Sequence, residues 1–190
     1  MSTLKVGAIQ STAGNAAITV ASDGSLTTTQ KVATSNLGTG AVLQVKQSTL
    51  GVAYYSGTDD YMSTTLSLQI TPRSTSSKIL LQYSASCHND TSGGFVVTDL
   101  YKNPTSSLAA NTVVSGGTFL SGKGNTGFGL AQTYGQNNGS ISSCVGMFLD
   151  APSTASLITY LVIYRNYGGG NAYFNVNNGL ATFTAMEIGG

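Results

Sequence analysis

The stretch KILLQYSASC, residues 78–87, repeats with a period of two. Ile79, Leu81, Tyr83, Ala85 and Cys87 fall on one face, and Leu80, Gln82, Ser84 and Ser86 on the other. That pattern is a half-buried strand. No stretch carries a 3.6-residue apolar period, so long helices are excluded. ASLITYLVIYR, residues 155–165, is apolar on both faces, with Leu157, Thr159, Leu161 and Ile163 against Ile158, Tyr160, Val162 and Tyr164. Such a strand must be covered twice, once by its own core and once by something else; a neighbouring subunit is the expected cover. LATFTAMEI, residues 180–188, reads similarly, with Met186 and Ile188 opposite Phe183 and Ala185. Further strands are expected over 41–47, 64–70, 95–103, 112–120, 128–134, 141–149 and 171–176, separated by turn clusters such as Ser92-Gly93-Gly94 and Gly168-Gly169-Gly170. About ten short antiparallel strands predict an all-β chain whose main body is a single antiparallel jelly-roll sandwich.

The opening phrase is organised differently. Residues 4–26 read as two short strands with small-residue turns, followed by a polar run from Thr27 to Gly40. Residues 1–40 are therefore an N-terminal β arm and linker, and 41–190 the head domain. A short ribbon is marginal in water and this one has few large side chains, so Leu4, Val6, Ile9, Ile18 and Val20 need a partner. The same segment of other protomers would serve, which makes the arm an anchoring and assembly element.

Composition narrows the function. Only 8% of residues are charged, eight basic against seven acidic, which leaves no basic footprint for nucleic acid and no polybasic membrane patch. A hydrophobic share of 41% is too high for a disordered chain. No run approaches the length of a membrane span, and Met1-Ser2-Thr3-Leu4-Lys5 leads into no apolar signal segment, so synthesis in a cytoplasm is expected. Cys87 and Cys144 have no metal spacing and read as small core residues.

Catalysis finds little support. The lone histidine, His88, has no nucleophile-elbow phrase to serve. Asp59 and Asp60 are adjacent in one loop, where two carboxylates rarely converge on one sugar. GKGNTG at 122–127 matches a dinucleotide-binding spacing but has no strand–helix context. The chain is expected to be no enzyme and to need no metal or cofactor. Arg165 and Glu187, charges near the ends of apolar strands, are expected to pair with each other.

The N-terminal LKVGAIQSTAGNAAITVASDGSLT resembles the start of bacteriophage tail-fibre-like proteins, especially those of marine and cyanobacterial phages. AVLQVKQST, LSLQITPRSTSSKILLQYSAS, TDLYKN and FTAMEIGG resemble the head that follows in them, which is similar to the jelly rolls of tumour necrosis factor and complement globular heads. The resemblance covers nearly the whole chain. It implies a virion structural protein that forms a homotrimer, and does not imply which part of the virion. The expected role is a fibre-like protein on the virion surface, held to other tail or capsid proteins by its arm and displaying its head toward a host-surface glycan. A capsid decoration or cement protein is the alternative, and a glycan-degrading spike a third reading.

With strands running alternately up and down, the loops 48–63, 88–94, 121–127, 150–156 and 177–179 are expected far from the arm, and 71–77, 104–111, 135–140 and 166–170 near it. The far loops are the expected ligand surface. They carry Tyr54, Tyr55, Asp59, Asp60, Tyr61, His88, Asn89, Asp90, Lys123 and Asn125, a mixture of rings and directed hydrogen-bonding groups that suits a sugar.

Overall fold

The computed structural model describes residues 39–122, 129–135 and 140–190, together with 22–23 and the backbone of 8–10, 16–20 and 26–28. The chain divides into two compact units, Met1–Gly38 and Thr39–Gly190. In the first, β1 (Ala8–Gln10), β2 (Ala16–Val20) and β3 (Leu26–Thr28) form an antiparallel meander, with Ile9 opposite Ile18 and Ile18 opposite Thr28. The third strand falls where a polar linker was expected to begin. Threonine is a good strand former, so a polar run rich in it extends the sheet. Leu4 and Val6 lie outside the described residues.

The second unit is an all-β sandwich. Its strands are β4 (Val42–Leu50), β5 (Tyr54–Ser56), β6 (Met62–Ile70), β7 (Lys78–Asn89), β8 (Phe95–Lys102), β9 (Thr118–Phe119), β10 (Ala131–Tyr134), β11 (Ser142–Asp150), β12 (Ile158–Tyr167), β13 (Ala172–Phe174) and β14 (Ala181–Ile188). One sheet runs β4-β14-β7-β11, with β13 and β5 continuing beyond the end of β14 along the same edge of β7. The other runs β10-β8-β12-β6, with β9 on the edge of β8 that β10 also uses. All pairings are antiparallel, and first strand lies beside last. The long strands alternate between the sheets, which is the double Greek key of a jelly roll.

The main core fills the space between the sheets. Ile79, Leu81, Tyr83, Phe174 and Phe183 face Leu66, Ile70, Leu100, Ile158, Tyr160 and Tyr164, all buried. Tyr83 lies across Gly146 on the neighbouring strand, where an added Cβ would meet its ring at 2.2 Å, and its hydroxyl bonds Thr98 on the opposite sheet at 2.8 Å. Near the chain ends, Gly40 N donates to the Gly189 carbonyl and Gly189 N to the Ala41 carbonyl, both at 2.8 Å, which marks this end as the base of the head.

Four expectations need correction. Only Thr118–Phe119 of the expected strand 112–120 forms, plus a bridge from Val113 to Met62. β9 and β10 run in the same direction along one edge of β8, so one crossing is lost from the up-and-down count. The 150–156 connection therefore sits at the base, while β10 ends, β11 begins and 166–170 turns at the opposite, distal end. The second apolar face of β12 is covered by this same chain, not by a neighbour: the excursion after β8 lays Leu108, Val114 and Phe119 over Val97, Tyr101, Leu161 and Ile163. Phe119 meets the Tyr101 and Tyr61 rings at 4.8 and 5.1 Å. Backbone bonds from Ser63 N to Thr112 O and from Val114 N to Tyr61 O fasten the excursion to β6.

The Arg165–Glu187 pair does not form either. Glu187, fully buried, accepts hydrogen bonds from Gln44 Nε2 (2.6 Å), the Arg73 amide (2.6 Å) and Ser77 Oγ (2.7 Å), which pin the 71–77 turn to the sheet. Arg165 stands on the other sheet, with its guanidinium over the Tyr61 and Tyr167 rings at 4.9 and 5.4 Å. Three backbone and side-chain donors satisfy a buried carboxylate without the cost of desolvating a second charge.

Candidate functional site

Two surfaces of the head carry features that packing alone does not require. The first is the outward face of β4-β14-β7-β11. Register places Val45, Met186, Leu80 and Leu149 in one row across the four strands. The next rows are Gln47-Thr184-Gln82-Met147 and Thr49-Thr182-Ser84-Val145, with Val42, Ile188 and Lys78 in the row below. These three rows hold no charged residue, and Val45, Val145, Met147 and Leu149 are each half exposed or more, Met147 to 64%. Both long edge strands of this sheet, β4 and β11, present their apolar side chains beside an edge that no strand among the described residues pairs, an arrangement that folded proteins ordinarily cover.

The second surface is the distal end, where the expected ligand residues were placed. Tyr55, His88 and Asp90 are brought together by two residues the sequence reading missed, Tyr173 and Asn171 on and before β13. The Tyr173 ring stacks between Tyr55 (5.7 Å) and His88 (5.4 Å) because β5, β13 and β7 place the three directly opposite one another. Asp90 accepts from the Asn171 amide nitrogen (2.7 Å), Asn171 Nδ2 (2.8 Å) and the Tyr173 hydroxyl (3.3 Å). The Asn171 bonds hold the Asp90 carboxyl below its ordinary pKa, while partial burial and the nearby carboxylate push the Tyr173 phenol up. The His88 Nδ1 lies 3.1 Å from the Ser140 carbonyl, and His88 belongs to β7 rather than to a loop.

The remaining expected residues separate. Tyr54 is half buried against the main core with its hydroxyl 3.1 Å from Thr65 Oγ1. Tyr61 is buried in the second core, where desolvation raises its phenol to about 12. Asn89 is also buried; its Nδ2 donates to Asn166 Oδ1 (2.8 Å) and to the Phe95 and Gly169 carbonyls, stapling the distal turns. Neither is open to a ligand. Asp59 and Asp60 are exposed in the turn before β6, and the Asp59 carbonyl accepts from Arg165. Lys123 and Asn125 lie outside the described residues, as do the side chains of Ile9, Ile18 and Val20. Among the described residues no three His, Cys, Asp or Glu side chains gather in one place.

Cys87 and Cys144 are unbridged and both buried, on neighbouring strands and facing the core; burial pushes the Cys87 thiol up. Lys102 and Asp150 form a bidentate pair at 3.1 Å to each oxygen, and Tyr160 donates to the same carboxylate at 2.6 Å. This cluster joins the two sheets at the base.

Comparison with known proteins gives loose structural overlaps. No family model and no curated protein matches the chain. Among solved structures it is similar to that of infectious bursal disease virus, Gx strain, at 10% identity and a TM-score of 0.42, over 78% of this chain and 33% of the other. A mutant VP2 protein of the same virus, in T=1 particles, overlaps at 8% identity and a TM-score of 0.34, over 77% of this chain and 37% of the other. The chain thus spans about a third of the length of these structures. An overlap this loose says nothing of function, and the jelly roll stands on the strand order itself.

Proposed function

We propose that this chain is a structural protein of a bacteriophage virion surface, in which the heads associate as a trimer through the outward face of β4-β14-β7-β11 and the N-terminal unit anchors the assembly. The observation that carries the reading is the uncharged face on which Val45, Leu80, Val145, Met147, Leu149 and Met186 stand among glutamine, threonine and serine side chains. A second copy suits it better than a charged partner, because the three central rows offer nothing for an ion pair and the same surface on another copy is equally apolar. The tail-fibre-like phrases of the sequence support the virion setting and the number three. The short strands of the first unit support the anchoring role, since a meander of this size gains stability by packing on something else. The distal end would then point outward, where contact with a host-surface glycan falls.

Imaging of purified particles tests the setting. Heads grouped in threes at the tail are the expected result. Single copies spread over the capsid lattice would overturn the fibre-like reading and favour decoration of the capsid.

A further inference from the structure

The outward face of β10-β8-β12 ends, at the distal edge, in a second row of rings. Register sets Tyr134 and Tyr167 directly opposite Phe95 on its two sides. Tyr134 meets Phe95 edge-on at 5.0 Å and 66°, and Tyr167 lies 6.2 Å from Phe95 at 51°. Beneath the row, the Arg165 guanidinium is layered between Tyr167 and Tyr61, which props the Tyr167 ring from the core side. Gln132, exposed, shares the face with Tyr134 two residues along β10.

The rest of this face is closed by the chain's own excursion over Val97, Tyr101, Leu161 and Ile163, but Tyr134 and Tyr167 stay 49% and 41% exposed. A row that served packing alone would be satisfied by phenylalanine or aliphatic residues; here the two outer rings carry hydroxyls. The turns beside the row, Thr91 to Gly94 and Gly168 to Gly170, are small and polar. Three rings within such a rim fall well short of the roughly 800 Å² per partner that a stable protein interface buries. The same rings suit a small ligand with an apolar face and hydroxyl edges. Among the described residues the reachable groups are phenols and an amide, which match an uncharged ligand.

We infer that the Tyr134-Phe95-Tyr167 row is a shallow binding surface for an uncharged pyranose glycan. It lies on the sheet opposite the proposed association face, so association through that face does not cover it. The inference deepens the proposed function and rests on its reading of the head as a displayed module.

The test titrates the full chain with maltohexaose, cellohexaose and N-acetylchitohexaose, following tyrosine emission, since the chain has no tryptophan. At least one hexasaccharide is expected to give a saturable change. Tyr134→Ala and Tyr167→Ala should each weaken it about tenfold, the size of one lost ring contact. Tyr134→Phe should weaken binding less than Tyr134→Ala, since the ring contact remains, which guards against a folding defect, and Leu157→Ala, exposed at the base, should leave it unchanged. No saturable change with any of the three, or binding that survives the Tyr134→Ala/Tyr167→Ala double variant, would overturn the inference. The chain number measured on the same samples reads the association claim separately, so a trimer without binding sinks only the glycan surface.

Discussion

The two outward faces of the sandwich solve one problem in different ways. Both β12 and the β14-β7-β11 group carry apolar side chains away from the main core. On β12 the same chain returns after β8 and covers Leu161 and Ile163 with Leu108, Val114 and Phe119, making a second small core. On the other face nothing among the described residues of the head returns, and Val45, Val145, Met147 and Leu149 remain open. Full burial of one such side chain stabilises by about 1.5–3 kcal/mol, so the covered face contributes to the fold of each chain. The open face leaves the same kind of surface exposed, as the proposed association requires. Outward apolar residues thus mean intramolecular packing in one sheet and, in the proposed function, an assembly surface in the other.

The sharpest way to break this comparison is to truncate matched residues. Ile163→Ala, in the covered face, should cost about 2–5 kcal/mol in denaturant unfolding. Met147→Ala, in the open face, should stay within about 0.5 kcal/mol when measured on the isolated monomer. Equal losses would mean that both faces are ordinary core. Glu187→Ala should cost about 3 kcal/mol, because it strands three buried or half-buried donors at Gln44, Arg73 and Ser77 that hold the base of the open sheet.

Gly146→Ala probes the inner side of the same sheet. Its Cβ would meet the Tyr83 ring at 2.2 Å, and displacing a fully buried tyrosine should cost about 1–3 kcal/mol. A neutral result would mean that Tyr83 can move freely, contrary to its bond to Thr98. The smallest effect concerns the distal end and pH. The Asp90 carboxyl is held low by Asn171, so its contribution is present above the ordinary carboxylate pKa of about 3.9 and is lost as pH falls through its lower folded value. The melting temperature of Asp90→Asn should lie slightly below that of the wild type at pH 7, and the two should converge at pH 2–3.

Much of the fold was legible because sheets have a rigid period. The alternation in 79–87 and the doubly apolar 157–164 identify β7 and β12 and the faces they bury. Periodicity says which faces are apolar but not what covers them. Leu108, Val114 and Phe119 sit among serines, threonines and glycines with no regular spacing, so the cover of β12 was attributed to another subunit. Read as one more strand, the same excursion reverses the ends expected for the later loops. At the distal end, Tyr55, His88 and Asp90 were singled out from strand ends, but their union depends on Tyr173, and that depends on a three-strand register no local pattern encodes. Tyr134 and Tyr167 were passed over for the same reason, having been assigned to strands or to the wrong end. Glu187 was readable as a buried charge; its partners are an amide side chain, a hydroxyl and a backbone N–H, groups that leave no charge pattern to match.

The central claim is that the open face joins copies of this chain. Sedimentation equilibrium of the full chain, beside Met147→Glu, tests it directly. The account predicts three chains per particle for the wild type and a single folded chain for Met147→Glu, whose monomer should unfold at nearly the same denaturant concentration as that of Met147→Ala. A wild-type chain that stays monomeric at high concentration, or a trimer that Met147→Glu leaves intact, would contradict it.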